Sequence, residues 1–315
     1  MRNTDALVAL RRIVSYGRGE SRRGRWRYGA SIALAVGLTL GLAPISNADV
    51  NLGSAGGITY VQDAAEPGPP PADGVLVECP GARRVAGGGF SQSGLLTGLL
   101  NDATPADDAD SDRDADDAWT IEMTGFHEQL RALAICAKGE LAYAVGRVTV
   151  DAGQTRAATA ACPHDMHVTG GGASLRGISP DSHLTATHPL DDRDRGKAPD
   201  DGWRARAHNS GDVRRVMLVR AICANDPPVY LEEGVVLEPG SGKAARANCP
   251  SDAHLLGVGG RLDGLGSEAF LTVAMADDDG DGDSVPDDRA VVGGTNAIGA
   301  AGDKELTAYA ICARR

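Results

Sequence analysis

Small apolar and polar residues alternate with a period of two through much of this chain, and that pattern predicts strands. In the run Leu130-Arg131-Ala132-Leu133-Ala134-Ile135-Cys136, alternate positions set Leu130, Ala132, Ala134 and Cys136 on one face. Met217, Val219, Ala221 and Cys223 line up in the same way, as do Leu306, Ala308, Ala310 and Cys312. The opposite faces are mixed, with Arg131, Arg220 and Thr307 beside isoleucines, so the small-residue face carrying the cysteine is expected inside. The run Trp203-Arg204-Ala205-Arg206-Ala207-His208 alternates likewise, with its arginines and histidine pointing outward.

These segments recur. Tyr60, Tyr143 and Tyr230 are each followed nineteen residues later by a Cys-Pro pair, at Cys79, Cys162 and Cys249. Eight residues beyond each cysteine a glycine cluster begins, at Gly87, Gly170 and Gly257. An Asp-rich loop comes next, then a segment led by Trp119, Trp203 or, in the third copy, Arg289, and finally Ala-Ile-Cys-Ala. The period of about 85 residues exceeds the common solenoid units. The reading is repeat 1 over 58–140, repeat 2 over 141–227 and repeat 3 over 228–315, behind a signal peptide (1–48) and a short linker (49–57). The expected fold is all-β, with three antiparallel sheets, one per copy, packed about a pseudo-threefold axis in a β-prism-like form. A shared core suits copies with few large apolar residues. Three small β-sandwiches in tandem are the alternative. The mid-strand glycines are expected where another backbone approaches closely, and no helical pattern follows them to make a phosphate loop.

Charge narrows the partner. The net charge is −12, but eight arginines against Asp5 and Glu20 give the first 48 residues +6, so the remainder carries −18. Such a chain offers no basic patch for nucleic acid or an anionic membrane. The basic start, the apolar stretch from Gly29 to about Ile45 and Ser46-Asn47-Ala48 match an export signal with its cleavage site, leaving a secreted product with no membrane segment.

All six cysteines lie beyond that segment, two per copy. An even, symmetric set in an oxidising compartment implies disulfides. Pairing within each copy, Cys79–Cys136, Cys162–Cys223 and Cys249–Cys312, is preferred; the rival joins the end of one copy to the start of the next, as in Cys136–Cys162. No C-x₂-C spacing supports zinc or redox chemistry.

The third acidic loop fits a calcium-loop grammar. Asp277, Asp279 and Asp281 take the first, third and fifth positions, Gly282 the turn, Asp283 adds a carboxylate and Asp288 falls at the twelfth. Calcium takes six to eight hard oxygens, and alternating carboxylates on a tight loop can face one point. Ser284 stands at the eighth position, Asp replaces Glu at the twelfth and no helices flank the loop, so it resembles dockerin or thrombospondin-type loops more than an EF-hand. The alternative is a solvated Asp-Gly connection without metal. His164-Asp165-Met166-His167 is a further metal candidate, and Trp119 with Trp203 a candidate sugar platform against a core role. No G-x-S-x-G or H-E-x-x-H motif is present, and no catalytic residue is assigned.

The Cys-Pro pair, the glycine cluster, the Pro199-to-Trp203 run and the Ala-Ile-Cys-Ala ending resemble a repeat of secreted actinobacterial proteins, over residues from about 60 to 315. The resemblance implies export and an actinobacterial source, and it transfers no functional residue. The expected function is a secreted, non-catalytic binding or structural protein for an extracellular glycan, surface or protein, with calcium as a stabilising ion. A secreted hydrolase with an unrecognised site is the alternative.

Overall fold

The computed structural model describes residues 50–314 except 56, 66–72, 94–97, 108–114, 126–128, 178–179, 192–197, 265–267, 279–282 and 284; among the described residues it forms nineteen strands and no helix. The export signal expected over 1–48 lies outside them. The first repeat contributes β1 (Val50–Ala55), β2 (Ile58–Ala65), β3 (Asp73–Glu78), β4 (Arg84–Ser93), β5 (Leu99–Ala106), β6 (Ala118–Thr124) and β7 (Gln129–Ala137). The second contributes β8 (Ala142–Val150), β9 (Gln154–Ala161), β10 (His167–Arg176), β11 (Ser182–Leu190), β12 (Gly202–Asn209) and β13 (Arg215–Ala224). The third contributes β14 (Val229–Leu237), β15 (Gly242–Asn248), β16 (Ala253–Leu262), β17 (Ala269–Asp277), β18 (Arg289–Asn296) and β19 (Lys304–Arg314). The stretch expected as a linker, 49–57, thus holds β1, which pairs antiparallel with β2 and occupies an edge whose backbone groups would otherwise be open.

Three antiparallel sheets are present, but no repeat owns one. Each repeat makes two three-stranded halves, and each sheet joins halves of two repeats. Sheet A runs β1-β2-β7-β4 from repeat 1 into β17-β18-β15 from repeat 3. Sheet B runs β8-β13-β10 from repeat 2 into β5-β6-β3 from repeat 1, and sheet C runs β14-β19-β16 from repeat 3 into β11-β12-β9 from repeat 2. This corrects the expectation of one sheet per copy, and it departs equally from three tandem sandwiches. A three-stranded half leaves a bare edge and too little apolar surface to stand alone; joining two halves covers both. The seams β4–β17, β10–β5 and β16–β11 hold two registered pairs each, such as Ala274 with Phe90 and Ala173 with Ala103.

At the pseudo-threefold axis the central strands β4, β10 and β16 touch backbone to backbone. Each carries a register shift just before its glycine, at Val85/Gly87, Val168/Gly170 and Leu255/Gly257. A Cβ on Gly87 would lie 2.4 Å from the Leu256 carbonyl oxygen, one on Gly170 2.3 Å from that of Ala86, and one on Gly257 2.2 Å from that of Thr169. Only glycine permits this approach. The anchor tyrosines reach across the same joints. The Tyr60 hydroxyl donates to the Leu255 carbonyl at 2.6 Å, Tyr143 to that of Val85 at 2.8 Å, and Tyr230 to that of Val168 at 2.8 Å. Both sets run repeat 1 to 3, 2 to 1 and 3 to 2, so they close a ring.

The cysteines pair within repeats: Cys79–Cys136, Cys162–Cys223 and Cys249–Cys312, closing spans of 57, 61 and 63 residues. In the chain-entropy model each such loop contributes about 4 kcal/mol by restricting the unfolded chain. The bridges hold each repeat together, while hydrogen bonds and packing hold the repeats to one another.

Trp119 and Trp203 are buried core anchors, the core role expected of them, and neither ring is open as a sugar platform. Each ring lies over a glycine of its own repeat: a Cβ on Gly88 would fall 2.2 Å from the Trp119 ring, and one on Gly171 2.5 Å from that of Trp203. The third copy exchanges sizes at this spot. Arg289 pairs with Asp277 and Asn248 just as Ala118 pairs with Ala106 and Glu78, so the structural counterpart of the tryptophans is Ala290, one residue on. Ala290 is buried against a copy that has Val258 where the others have Gly88 and Gly171. A tryptophan over glycine is replaced in the third copy by alanine, with valine at the position matching the glycine, a pair smaller in total volume.

We expect Gly87→Ala to lower unfolding free energy by about 1–3 kcal/mol or more, because the obstruction is backbone. Gly74→Ala, whose Cβ would meet its nearest atoms at 3.4 Å, should change stability by less than about 1 kcal/mol. Equal effects in chemical denaturation would refute the axial-contact account.

Candidate functional site

The acidic loops end in a recurrent structural clasp. Asp116-Asp117, Asp200-Asp201 and Asp287-Asp288 each turn two carbonyls onto the start of their own repeat. The amide of Cys79 donates to Asp117 at 2.8 Å and that of Val85 to Asp116 at 2.6 Å; Cys162 and Val168 repeat this with Asp201 and Asp200, and Cys249 and Leu255 with Asp288 and Asp287. The first carboxylate of each pair also meets a basic side chain five residues past the cysteine: Arg84 with Asp116 at 3.0 Å, His167 with Asp200 at 2.9 Å, and His254 with Asp287 in the most buried case. Burial pushes the Asp287 carboxyl up, and His254 pulls it back down. Arginine fills this role in repeat 1 and cannot serve there as a base, so the His–Asp pairs are read as clasps and not as fragments of a catalytic triad. His167 is thereby turned toward Asp200, while His164 is exposed and bonds Asp165 at 2.7 Å.

Of the proposed calcium ligands, Asp279 and Asp281 lie outside the described residues. Asp277 accepts from Arg289 Nε at 2.8 Å and Nη2 at 2.6 Å, and Asp283 caps the Val285 amide at 2.7 Å. Asp288 gives its carbonyl to Cys249. Among the described residues no three His, Cys, Asp or Glu side chains converge as a metal site. The clasped residues Val85, Val168 and Leu255 immediately precede Ala86, Thr169 and Leu256, which line a cavity of about 800 Å³ together with the inter-repeat segments around Gly139 and Pro227.

The outer sheet faces differ most from copy to copy, at matching positions on either side of each seam. In sheet C, Ala186 is paired with Arg206 on one side and Arg261 on the other. In sheet B the same three places hold Asp102, Glu122 and Ser174, and in sheet A they hold Val273, Gly293 and Ser91. One row away, sheet C sets Arg204 opposite His188 and Tyr309 opposite Glu232; sheet B sets Thr120 opposite Thr104 and Arg220 opposite Val145. One scaffold position thus bears a basic cluster, an acidic pair or a neutral surface.

Sheet C adds shape to its charge. His188 stacks on Tyr309 with ring centroids 5.2 Å apart and 16° between planes, and Arg261 lies 5.9 Å over the same ring. His188 Nδ1 contacts the Pro189 carbonyl at 2.7 Å, so it carries the proton and leaves Nε2 as an acceptor. Burial, aided by Arg261, Arg204 and Arg206, lowers the His188 pKa to about 4 and keeps the ring neutral. Arg206 and Arg261 share Asp263, at 3.9 and 3.4 Å. Arg204 is exposed and has no ion pair among the described residues. His188, Arg204, Arg261 and Tyr309 border a cleft of about 500 Å³ that also reaches Asp191, Tyr230, Leu231 and Glu232. The alternation of Trp203–His208 marked the two β12 arginines as outward-facing, whereas His188, Arg261 and Tyr309 join them only through strand pairing.

No family model matches the chain, and none of the curated proteins is similar to it.

In sheet B the matching place makes a titrating spot. Asp102 Oδ1 accepts from the Leu175 amide at 2.8 Å across the seam, yet burial and then the Glu122 charge raise its pKa to about 7. The fold therefore favours the protonated form. Its contribution is complete below the ordinary carboxylate range and is lost as pH rises through about 7. Relative to Asp102→Asn, the unmodified protein should lose stability between pH 5 and pH 8 in chemical denaturation. A pH-independent difference between the two would rule out this role for Asp102.

Proposed function

We propose that this is an exported, non-catalytic binding protein that meets an extracellular partner through the copy-specific outer face of sheet C. One observation carries the reading: the recurrent residues are consumed by the frame, while equivalent outer positions carry three different chemistries. Tyrosine hydroxyls, axial glycines, cysteines and Asp-Asp clasps all have internal partners. The set His188, Arg204, Arg261 and Tyr309 does not recur: the matching places of sheet B hold Thr104, Thr120, Ser174 and Arg220. Three disulfides fit an oxidising environment, and secretion accords with the basic and apolar pattern of residues 1–48. An extracellular glycan suits the cleft best, since its hydroxyls answer a surface rich in charged donors and acceptors.

Calcium at the third acidic loop belongs to the same proposal as a stabilising ion. Arg289 already neutralises Asp277, so binding is expected to be weak, in the millimolar range of extracellular modules (about 10⁻⁴–10⁻³ M). The melting temperature should rise in millimolar calcium relative to chelator; no difference removes the ion from the account. For the function itself, the folded protein is applied to a glycan array and to a panel of esterase and glycosidase substrates. Retention without turnover is the expected result, and sustained product release would replace this reading with that of a secreted hydrolase.

A further inference from the structure

We infer that the cleft on sheet C is a subsite for a carboxylated sugar, a uronate residue within an acidic polysaccharide; this deepens the binding reading above and rests on it. The cleft combines two kinds of group that a simple ligand does not satisfy together. Its donors are guanidinium groups. Arg204 and Arg261 line the cleft, and Arg206 lies near His188 without lining it; Asp263 is the one carboxylate ion-paired to these arginines among the described residues, while Asp191 and Glu232 are the carboxylates of the cleft wall. Arg206 is further tied to the Leu262 carbonyl and Arg261 to Thr307 Oγ1 at 3.3 Å, so these two are held in place. Arg204, opposite His188 in the β11–β12 pair, is the guanidinium left for a ligand. Planar two-donor geometry makes arginine a good partner for a carboxylate.

The acceptors exclude a bare anion. His188 directs its proton to the Pro189 carbonyl, so its other nitrogen offers a lone pair, and Glu232 stands opposite Tyr309 at the far side of the same row. A sulfate or phosphate drawn to Arg204 would bring oxygen lone pairs against this nitrogen and this carboxylate. A ligand with hydroxyl hydrogens next to its carboxylate satisfies both sides, because hydroxyls donate where the arginines cannot. A six-membered sugar acid has that arrangement. Its apolar ring faces suit the Leu231, Pro199 and Tyr230 surfaces, and the cleft volume of about 500 Å³ lies in the usual range for small-ligand sites, about 300–1,000 Å³. The His188–Tyr309–Arg261 stack holds the polar groups in position before a ligand arrives, which limits the ordering cost of binding.

The remaining charge argues for a sugar chain with at most one carboxylate per residue over a denser polyanion. The part of the protein beyond residue 48 carries −18, so a polyphosphate or heavily sulfated chain is repelled at long range. An isolated carboxylate feels the local guanidinium groups first, since exposed charges further away are screened beyond about 10 Å at 0.1 M salt.

The test is calorimetric titration of the full chain with tri-galacturonate, its methyl ester, galacturonic acid monomer and sodium sulfate at matched ionic strength. The expected result is binding of the trimer, weaker binding of the monomer, and at least tenfold weaker binding of the ester and of sulfate. Arg204→Ala should weaken the trimer at least tenfold and leave the melting temperature unchanged; Arg204→Lys should recover only part of the loss. Equal binding of acid and ester overturns the carboxylate assignment, and sulfate competing as well as the trimer overturns the hydroxyl requirement. If the array detects neutral glycans while no uronate binds, the uronate inference fails and the binding function stands. If no glycan of any kind is retained and substrate is turned over, the binding function itself fails.

Discussion

Backbone contact at the pseudo-threefold axis is the constraint on which this architecture depends. The three central strands meet at a spacing that leaves no room for a Cβ, each turning a glycine to a carbonyl of the next repeat. The register shift before each glycine bends the strand at that point, and the tyrosine hydroxyls bond the carbonyls of Val85, Val168 and Leu255 beside the contact. Once the central strands are this close, each lies beside a strand of a neighbouring repeat, and the shared sheets follow from it. Because the last repeat pairs back onto the first through β17 and β4, the ring has no free end. An open array of such repeats would leave one half-sheet edge bare at each terminus, the situation that capping repeats serve in solenoids.

The disulfides complement this closure by acting along the other direction. Each ties the start of a repeat to its final strand, fixing the shape of the unit, while the joints between units rely on hydrogen bonds and packing. The clasp of paired aspartates serves the same purpose at the base of every acidic loop, so the end of each loop belongs to the frame even where its middle is variable. On the inner face, Gly88 with Trp119 and Gly171 with Trp203 correspond to Val258 with Ala290, so two positions alter together.

Much of this was legible in the sequence, and what was missed has a common cause. The repeat spacing, the inner faces of the final strands and the role of mid-strand glycines are local properties, expressed in residues a few positions apart. Sharing of sheets between copies is not local: a period of two says that Phe90 lies in a strand, but not that its partner is Ala274 of the third repeat. The placing of Arg289 against the tryptophans failed by one residue: the clasp sets the register, and each tryptophan lies two residues past its second aspartate, where the third copy has Ala290. The sheet C cleft draws on His188, Arg204, Arg261 and Tyr309, which lie on four strands from two repeats and come together only through the seam. Its one sequence trace was the outward alternation of the β12 arginines.

The seam explains why variety in chemistry concentrates there. A position on the outer face next to a seam has a cross-strand neighbour from a different repeat, so two copies can diverge independently and still combine their residues at one spot. Sheet B uses this to set Ser174 of repeat 2 beside the Asp102–Glu122 pair of repeat 1, and sheet C to bring Arg206 of repeat 2 beside Arg261 of repeat 3 around Ala186, an inversion of charge on the same backbone. Neither cluster burdens the core, because the alternation of the strand sends the neighbouring residues inward to the shared apolar interior. A closed frame with mixed-ancestry seams can therefore gain a binding surface through outer substitutions alone, and the residues that distinguish the copies are the ones to which recognition is assigned.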